Sequence, residues 1–188
     1  MDNPFLPDGY KVPVTGGYYK LQDGENTFRV MTSAVVGFVY WNIEGKPVRS
    51  RTPIQGTPAD IRLDKEGKPE RIKHFWAFAV WNADAQQVQV LELTQKSVMD
   101  GIKALVDNKK WGDPKSYDIS VTRTGSGLDT EYQVMPNPHS PLPEGAIAAL
   151  KAKPVNLEAL YSGGDVFAPE EVNYDASAGE AHPDEVPA

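Results

Sequence analysis

The chain has 188 residues, 40% hydrophobic and 24% charged, with a formal net charge of −7 and no cysteine. It is long enough to bury a sizeable core, and its composition is ordinary for a globular domain. The missing cysteines exclude disulfides, thiol chemistry and cysteine-ligated zinc, and no apolar run approaches the roughly 18–20 residues of a membrane span.

The N-terminal segment, MDNPFLPDGY, carries an aspartate where a secretion signal needs basic residues, so a cytoplasmic protein is expected. Residues 1–17 are rich in proline and glycine and read as an extended arm. Residues 26–42, NTFRVMTSAVVGFVYWN, are rich in β-branched and aromatic side chains and predict two strands or one long bent strand. Gly37 inside this run predicts a bulge or sharp coil. Residues 43–69 carry repeated turn signals, including EGKP at 44–47 and KEGKP at 65–69, and predict a long loop. A strand is predicted over 71–81, a turn over 82–86 and an antiparallel partner strand over 87–94.

The clearest helix spans 95–108, where Val98, Ile102, Leu105 and Val106 form one apolar stripe and Thr94 is the expected N-cap. A final hairpin, 116–123 with 130–135, turns at Gly125-Ser126-Gly127. Residues 143–162 are weakly helical, and 163–188 read as a disordered acidic tail. The order is strand pair, basic excursion, strand pair, helix, strand pair. It predicts a mainly β protein built as an antiparallel barrel of the oligonucleotide/oligosaccharide-binding (OB) type, spanning 18–142, with one helix before the last two strands. A generic α+β sheet is the alternative.

Charge is unevenly spread along this order. Residues 165–188 hold seven of the 26 acids and no lysine or arginine, which leaves 19 acids against 19 basic side chains in the rest. Residues 46–73 hold eight basic side chains (Lys46, Arg49, Arg51, Arg62, Lys65, Lys68, Arg71, Lys73) and four acids, a local excess of four positive charges. A basic segment on a neutral body, trailed by an acidic tail, suits a polyanionic partner.

Motifs of catalysis are missing. The three histidines are scattered, no HxxxH or HExxH pair and no calcium loop occurs, and Gly125-Ser126-Gly127 is neither a nucleophile elbow nor a phosphate loop. No enzyme activity, metal or cofactor is expected. A nuclease would need a carboxylate–metal cluster that the sequence does not display.

The aromatics are the more informative feature. In KHFWAFAVWN (73–82), strand alternation separates His74, Trp76, Phe78 and Val80, joined by Ile72, from Lys73, Phe75, Ala77, Ala79 and Trp81. The first set suits a core. The second resembles a stacking platform, with rings for bases, a lysine for phosphate and small alanines between. Tyr40 and Trp41, followed by Arg49 and Arg51, extend it, and Arg62 and Lys65 add cations from the long loop. The candidate single-stranded nucleic-acid site is therefore Tyr40, Trp41, Arg49, Arg51, Arg62, Lys65, Lys73, Phe75 and Trp81. The alternative is that both faces are buried, Trp81 under the helix and Phe75 under the long loop. The aromatics would then serve the core, or a dimer or partner interface.

Three stretches, YYKLQDGENTFRVM (18–31), KHFWAFAVWN with VQVLELTQKSVMDGIKAL (73–105), and WGDPKSYDISVTRTGSGLDTEYQVMPNP (111–138), give the chain a wider likeness. Over about 18–142 it resembles phage and prophage single-stranded DNA-binding proteins, OB-fold relatives of the T-even phage helix-destabilising protein. The resemblance implies a replication or recombination accessory protein that coats single-stranded DNA with little sequence preference. The T-even protein's Cys/His zinc module has no counterpart in a chain without cysteine. The resemblance further implies that the acidic tail, 165–188, recruits replication proteins or competes with DNA for basic side chains. The sequence does not fix an oligomeric state, and a homo-oligomer stays open.

Overall fold

A computed structural model describes residues 16–167. Residues 1–15 of the expected arm (1–17) and residues 168–188 of the expected tail (163–188) lie outside the described residues. Within them the chain forms β1 (Tyr18–Tyr19), β2 (Gly24–Val30), β3 (Val35–Trp41), β4 (Pro47–Ser50), β5 (Lys73–Asn82), β6 (Gln87–Leu93), α1 (Lys96–Asp107), β7 (Tyr117–Thr124), β8 (Glu131–His139), α2 (Glu144–Ala152) and α3 (Ala159–Ser162). The protein is mainly β, and no helix among the described residues is long and apolar enough to cross a membrane.

The strands join one eight-stranded sheet in the order β1-β6-β5-β2-β7-β8, with β3 paired to β5 and β4 paired to β3. Among the described residues the sheet does not close, so the expected closed barrel is not formed by them. β1 is two residues long and ends the path beside β6, while β8 ends it beside β7. Pro136 and Pro138 on β8 have no N–H to offer a further strand.

β2 and β3 behave as the single bent strand the sequence allows. Both lie antiparallel along β5, with Val30 opposite Val80 and Val35 opposite Ala77. Five residues of progress on one side match three on the other, so two extra residues are accommodated over 31–34. There the Thr32 hydroxyl accepts the Ala79 N–H in place of a backbone partner. The irregularity therefore falls before Gly37. That glycine sits in regular pairing opposite Phe75, and a Cβ on it would stand 2.2 Å from the Ser50 carbonyl oxygen. Gly37 serves the close approach of β4.

The central strand, β5, is covered on both faces toward its C-terminal end. On one face Phe78 and Val80 join Phe28, Val30, Leu91, Leu93, Tyr117, Ile119 and Val121, roofed by Val98, Met99 and Ile102 of α1. Gly101 lets α1 approach β8, since a Cβ there would meet Val134 at 2.8 Å. The helix begins one residue later than predicted: Gln95, not Thr94, is its N-cap, and the Gln95 side-chain oxygen accepts the Thr94 N–H. On the opposite face, Phe75, Ala77 and Val90 pack against Leu157, Leu160 and Val166. Further along, Met31, Ala79, Trp81 and Val88 pack against Ala146. The weakly helical extension is thus a second layer of the domain, and it continues past the expected start of the tail. Val166 is buried, and its carbonyl accepts the Asn156 N–H.

Arg29 fixes the crossing where β2 leaves β7 for β5. It is 2% exposed and donates to Asp118 Oδ1 at 2.6 Å, to the Ser140 carbonyl at 3.1 Å and to the Ser140 hydroxyl. It thereby ties the central strands to the start of the C-terminal layer. Hydrogen bonds to a charged group are worth roughly 1.5–3 kcal/mol, and an unfilled site costs more. Arg29→Met is expected to lower the unfolding free energy by about 2–4 kcal/mol in urea titration. Asp118→Asn, whose side chain keeps an acceptor, should cost less.

Candidate functional site

Four segments leave a groove of about 660 Å³ at the N-terminal end of β5. Its floor is Val39 and Trp41 of β3, Lys73 of β5, and Glu92 and Thr94 at the end of β6; its wall is Arg62, Asp64 and residues 68–71. Alternation explains the floor. Lys73 pairs with Val39 and Ala77 with Glu92, so these side chains share the face that the C-terminal layer covers further along. That cover stops at Phe75.

The wall is held by local chemistry. The Asp64 side chain accepts the N–H groups of Glu66 and Lys68 at 2.8 and 2.9 Å, and Gly67 takes φ +78° to close the turn. The other EGKP segment folds the same way: the Asn42 side chain accepts from Glu44 and Lys46, and Gly45 has φ +74°. Backbone bonds from Ile43 N–H to the Asp60 carbonyl and from Arg62 N–H to the Trp41 carbonyl, each 2.8 Å, clamp the wall to β3. Tyr40 adds a tether by donating its hydroxyl to Asp60 at 2.8 Å. That hydrogen bond, followed by burial, raises the phenol above its ordinary range. The tether's stabilisation is complete below the ordinary tyrosine pKa and is lost only as pH rises through the raised one.

The groove gathers three of the nine sequence candidates, Trp41, Arg62 and Lys73. Trp41 is 40% exposed, with the Arg62 guanidinium 5.4 Å from its ring centroid. Lys65 is exposed in the wall's turn. The remaining candidates are placed elsewhere or occupied. Phe75 and Trp81 are buried, so their assignment as an open stacking platform is corrected: the C-terminal layer, not α1 or the long loop, lies over them. Burying one large apolar side chain contributes roughly 1.5–3 kcal/mol, about what one stacked base returns, so uncovering them for a ligand has no net gain. Tyr40 is also buried, on the opposite face of β3 from Trp41. His74 and Trp76, assigned to the core by alternation, are exposed and half-buried, with Trp76 packed at the margin of the cluster that α1 covers.

The basic excess is likewise reduced by pairing. Arg49 is largely buried and binds Glu92 at 2.7 Å, with its guanidinium 5.9 Å from the Phe75 ring centroid. Arg51 pairs with Glu158 and lies 4.1 Å over Tyr161. Arg62 donates two hydrogen bonds to Glu70, which raise its pKa beyond the ordinary arginine value. Lys46 and Lys68 pair with Glu44 and Glu66. Of the eight cations in 46–73, Lys65, Arg71 and Lys73 have no ion pair among the described residues, and the last two line the groove. Arg71 is the cation that a search for aromatic-flanked arginines passes over; its signal was only its place in the basic run. No group of three or more histidine, aspartate or glutamate side chains among the described residues is arranged to hold a metal ion.

The chain is 26% identical over 141 residues to the probable ssDNA-binding protein of Escherichia phage T5. The match covers 62% of this chain and 53% of that protein, so the chain spans about half the length of the curated relative it matches. No protein-family model matches, and no solved structure matches significantly.

The tryptophans report this geometry directly. Acrylamide is expected to quench the emission of Trp41 strongly and that of Trp81, 5% exposed, weakly. Trp41→Phe should therefore remove more of the quenchable fluorescence than Trp81→Phe, as Stern–Volmer plots of the two variants would show.

Proposed function

We propose that the chain binds single-stranded DNA without marked sequence preference, as a non-enzymatic protein of phage DNA replication or recombination in the host cytoplasm. The observation that carries this reading is the groove, where a half-open tryptophan stands beside two unpaired cations, Arg71 and Lys73. A ring for the face of a base and cations for the phosphates beside it are the minimum of a sequence-tolerant single-strand site. Rings accept any base, so specificity is not built in. The similarity to a phage protein named for ssDNA binding supports the same reading. The element order supports an OB-like architecture whose sheet is opened rather than closed.

Titration with a homopolymer oligonucleotide should quench tryptophan fluorescence, with affinity falling steeply as salt rises. Each cation neutralising a phosphate contributes roughly 0.7 to the slope of log affinity against log salt on single strands. Combined Arg71→Ala and Lys73→Ala should therefore flatten that slope by about 1.4. Arg49→Ala, which removes a paired and buried guanidinium, should lower stability and leave the slope unchanged. An absence of both quenching and mobility shift at low salt would end the reading.

The acidic tail supports a competing role. Six acids (Glu170, Glu171, Asp175, Glu180, Asp184, Glu185) and no lysine or arginine follow Phe167. As a tethered polyanion they compete with DNA for the groove and offer a charged handle to replication proteins. Ending the chain at Phe167 keeps the packed Val166 and is expected to tighten DNA binding at low salt, with the difference vanishing at high salt. Equal affinity of the two chains at low salt would remove the competition.

A further inference from the structure

The side of β3 and β5 turned away from the groove is also incompletely covered. Register places Val36 opposite Trp76 and Phe38 opposite His74, so these four side chains form one cross-strand patch. Val36 is 48% exposed, His74 is exposed, and Phe38 and Trp76 are half-buried. The Phe38 and His74 rings lie 5.3 Å apart between centroids, tilted by 54°. Trp76 Nε1–H donates to His74 Nε2 at 3.2 Å. In the neutral imidazole that bond puts the remaining proton on Nδ1, a donor with no partner among the described residues.

Beside Trp76 the patch runs into an open slot of about 460 Å³, walled by Val30, Phe78, Ile102, Val106, Asp113 and Lys115, with the Asp113 side chain accepting the Lys115 backbone N–H. Val106, the last member of the α1 stripe, is 43% exposed, and Lys115 has no ion pair among the described residues. Three rings, an apolar slot, a free N–H and an unpaired cation thus lie in sequence on one surface. A protein partner is the poorer match: it would have to desolvate the imidazole N–H and the lysine at the centre and end of a narrow strip. An unpaired nucleotide offers a flat apolar face to the rings, polar edges to the imidazole and a phosphate to the lysine.

We infer that this strip is a second contact surface for single-stranded nucleic acid, with bases stacked on Trp76 and Phe38 and a phosphate near Lys115. The inference rests on the single-strand reading above and is separable from it.

The test is photocrosslinking of the full chain to an oligothymidine carrying 5-iododeoxyuridine, with peptide mapping, alongside titrations of Phe38→Leu and Trp76→Leu. Crosslinks are expected on the peptides holding Trp76 and Phe38. Each variant should lose about tenfold in affinity while keeping the wild-type salt slope, because a ring carries no counterion. Trp76→Phe, which preserves a ring, should recover most of the loss. If Trp76→Leu fails to fold, the crosslink map of the wild-type chain decides alone. Crosslinks confined to the Trp41 peptide, with full affinity in both variants, would overturn the strip and leave the single-strand reading standing. Loss of self-association in the variants at unchanged DNA affinity would assign the strip to a second copy of the chain and overturn it equally. Failure of the wild-type chain to bind any oligonucleotide would remove both.

Discussion

β5 is sandwiched between two layers that both stop short of its beginning. From Ala77 onward its side chains are locked, alternately, under α1 with its neighbouring strands and under the C-terminal segment. From Lys73 to Trp76, only Phe75 is fully covered. This asymmetry decides where the molecule can act. A ten-residue strand with large rings on both faces can be a core for half its length and a surface for the other half, because burial depends on what lies over each face and not on the strand itself. The groove and the aromatic strip are the two faces of that uncovered half.

Ion pairing refines the same picture. The arginines of the basic segment fasten elements: Arg49 holds β4 to β6 through Glu92, Arg51 reaches Glu158 beside α3, and Arg62 braces the groove wall through Glu70. A planar guanidinium that is already bidentate or stacked has little left for an incoming phosphate. Arg71 and Lys73 keep that capacity, and they flank the single residue Ile72 at the mouth of the sandwich. Local charge counts therefore point to the segment that walls the groove, but a count cannot tell a cation that holds the fold from one that faces solvent.

Much of the fold was legible in the sequence because it is written in short-range signals. β5, β6, α1 and the β7–β8 hairpin follow from alternation, helical periodicity and turn chemistry, each contained within a dozen residues. The larger failures are long-range. Nothing near Phe75 or Trp81 announces that Leu157, Leu160, Val166 and Ala146, more than sixty residues later, will cover them. The weak amphipathicity of the C-terminal segment disguised it as an appendage. The N-cap at Gln95 and the irregularity before Gly37 are smaller, local departures of a few residues. Of the sequence candidates, Trp41, Arg62 and Lys73 come together along the groove, because β3, β5 and the long loop meet there. His74 and Trp76 were assigned to the core because alternation sorts side chains into faces without saying which face stays wet.

That sorting has a mechanical consequence. Lys73 and His74 are adjacent in sequence but project to opposite faces, so a strand lying in the groove cannot reach the aromatic strip by continuing straight. It has to pass around an edge of the sheet. β4 supplies one, since among the described residues it pairs only with β3 and is four residues long. A flexible single strand can make that turn, whereas a duplex, with its persistence length of roughly 150 base pairs, cannot wrap so short an edge. Two small contact surfaces placed back to back would then select single strands over duplex by curvature without reading any base.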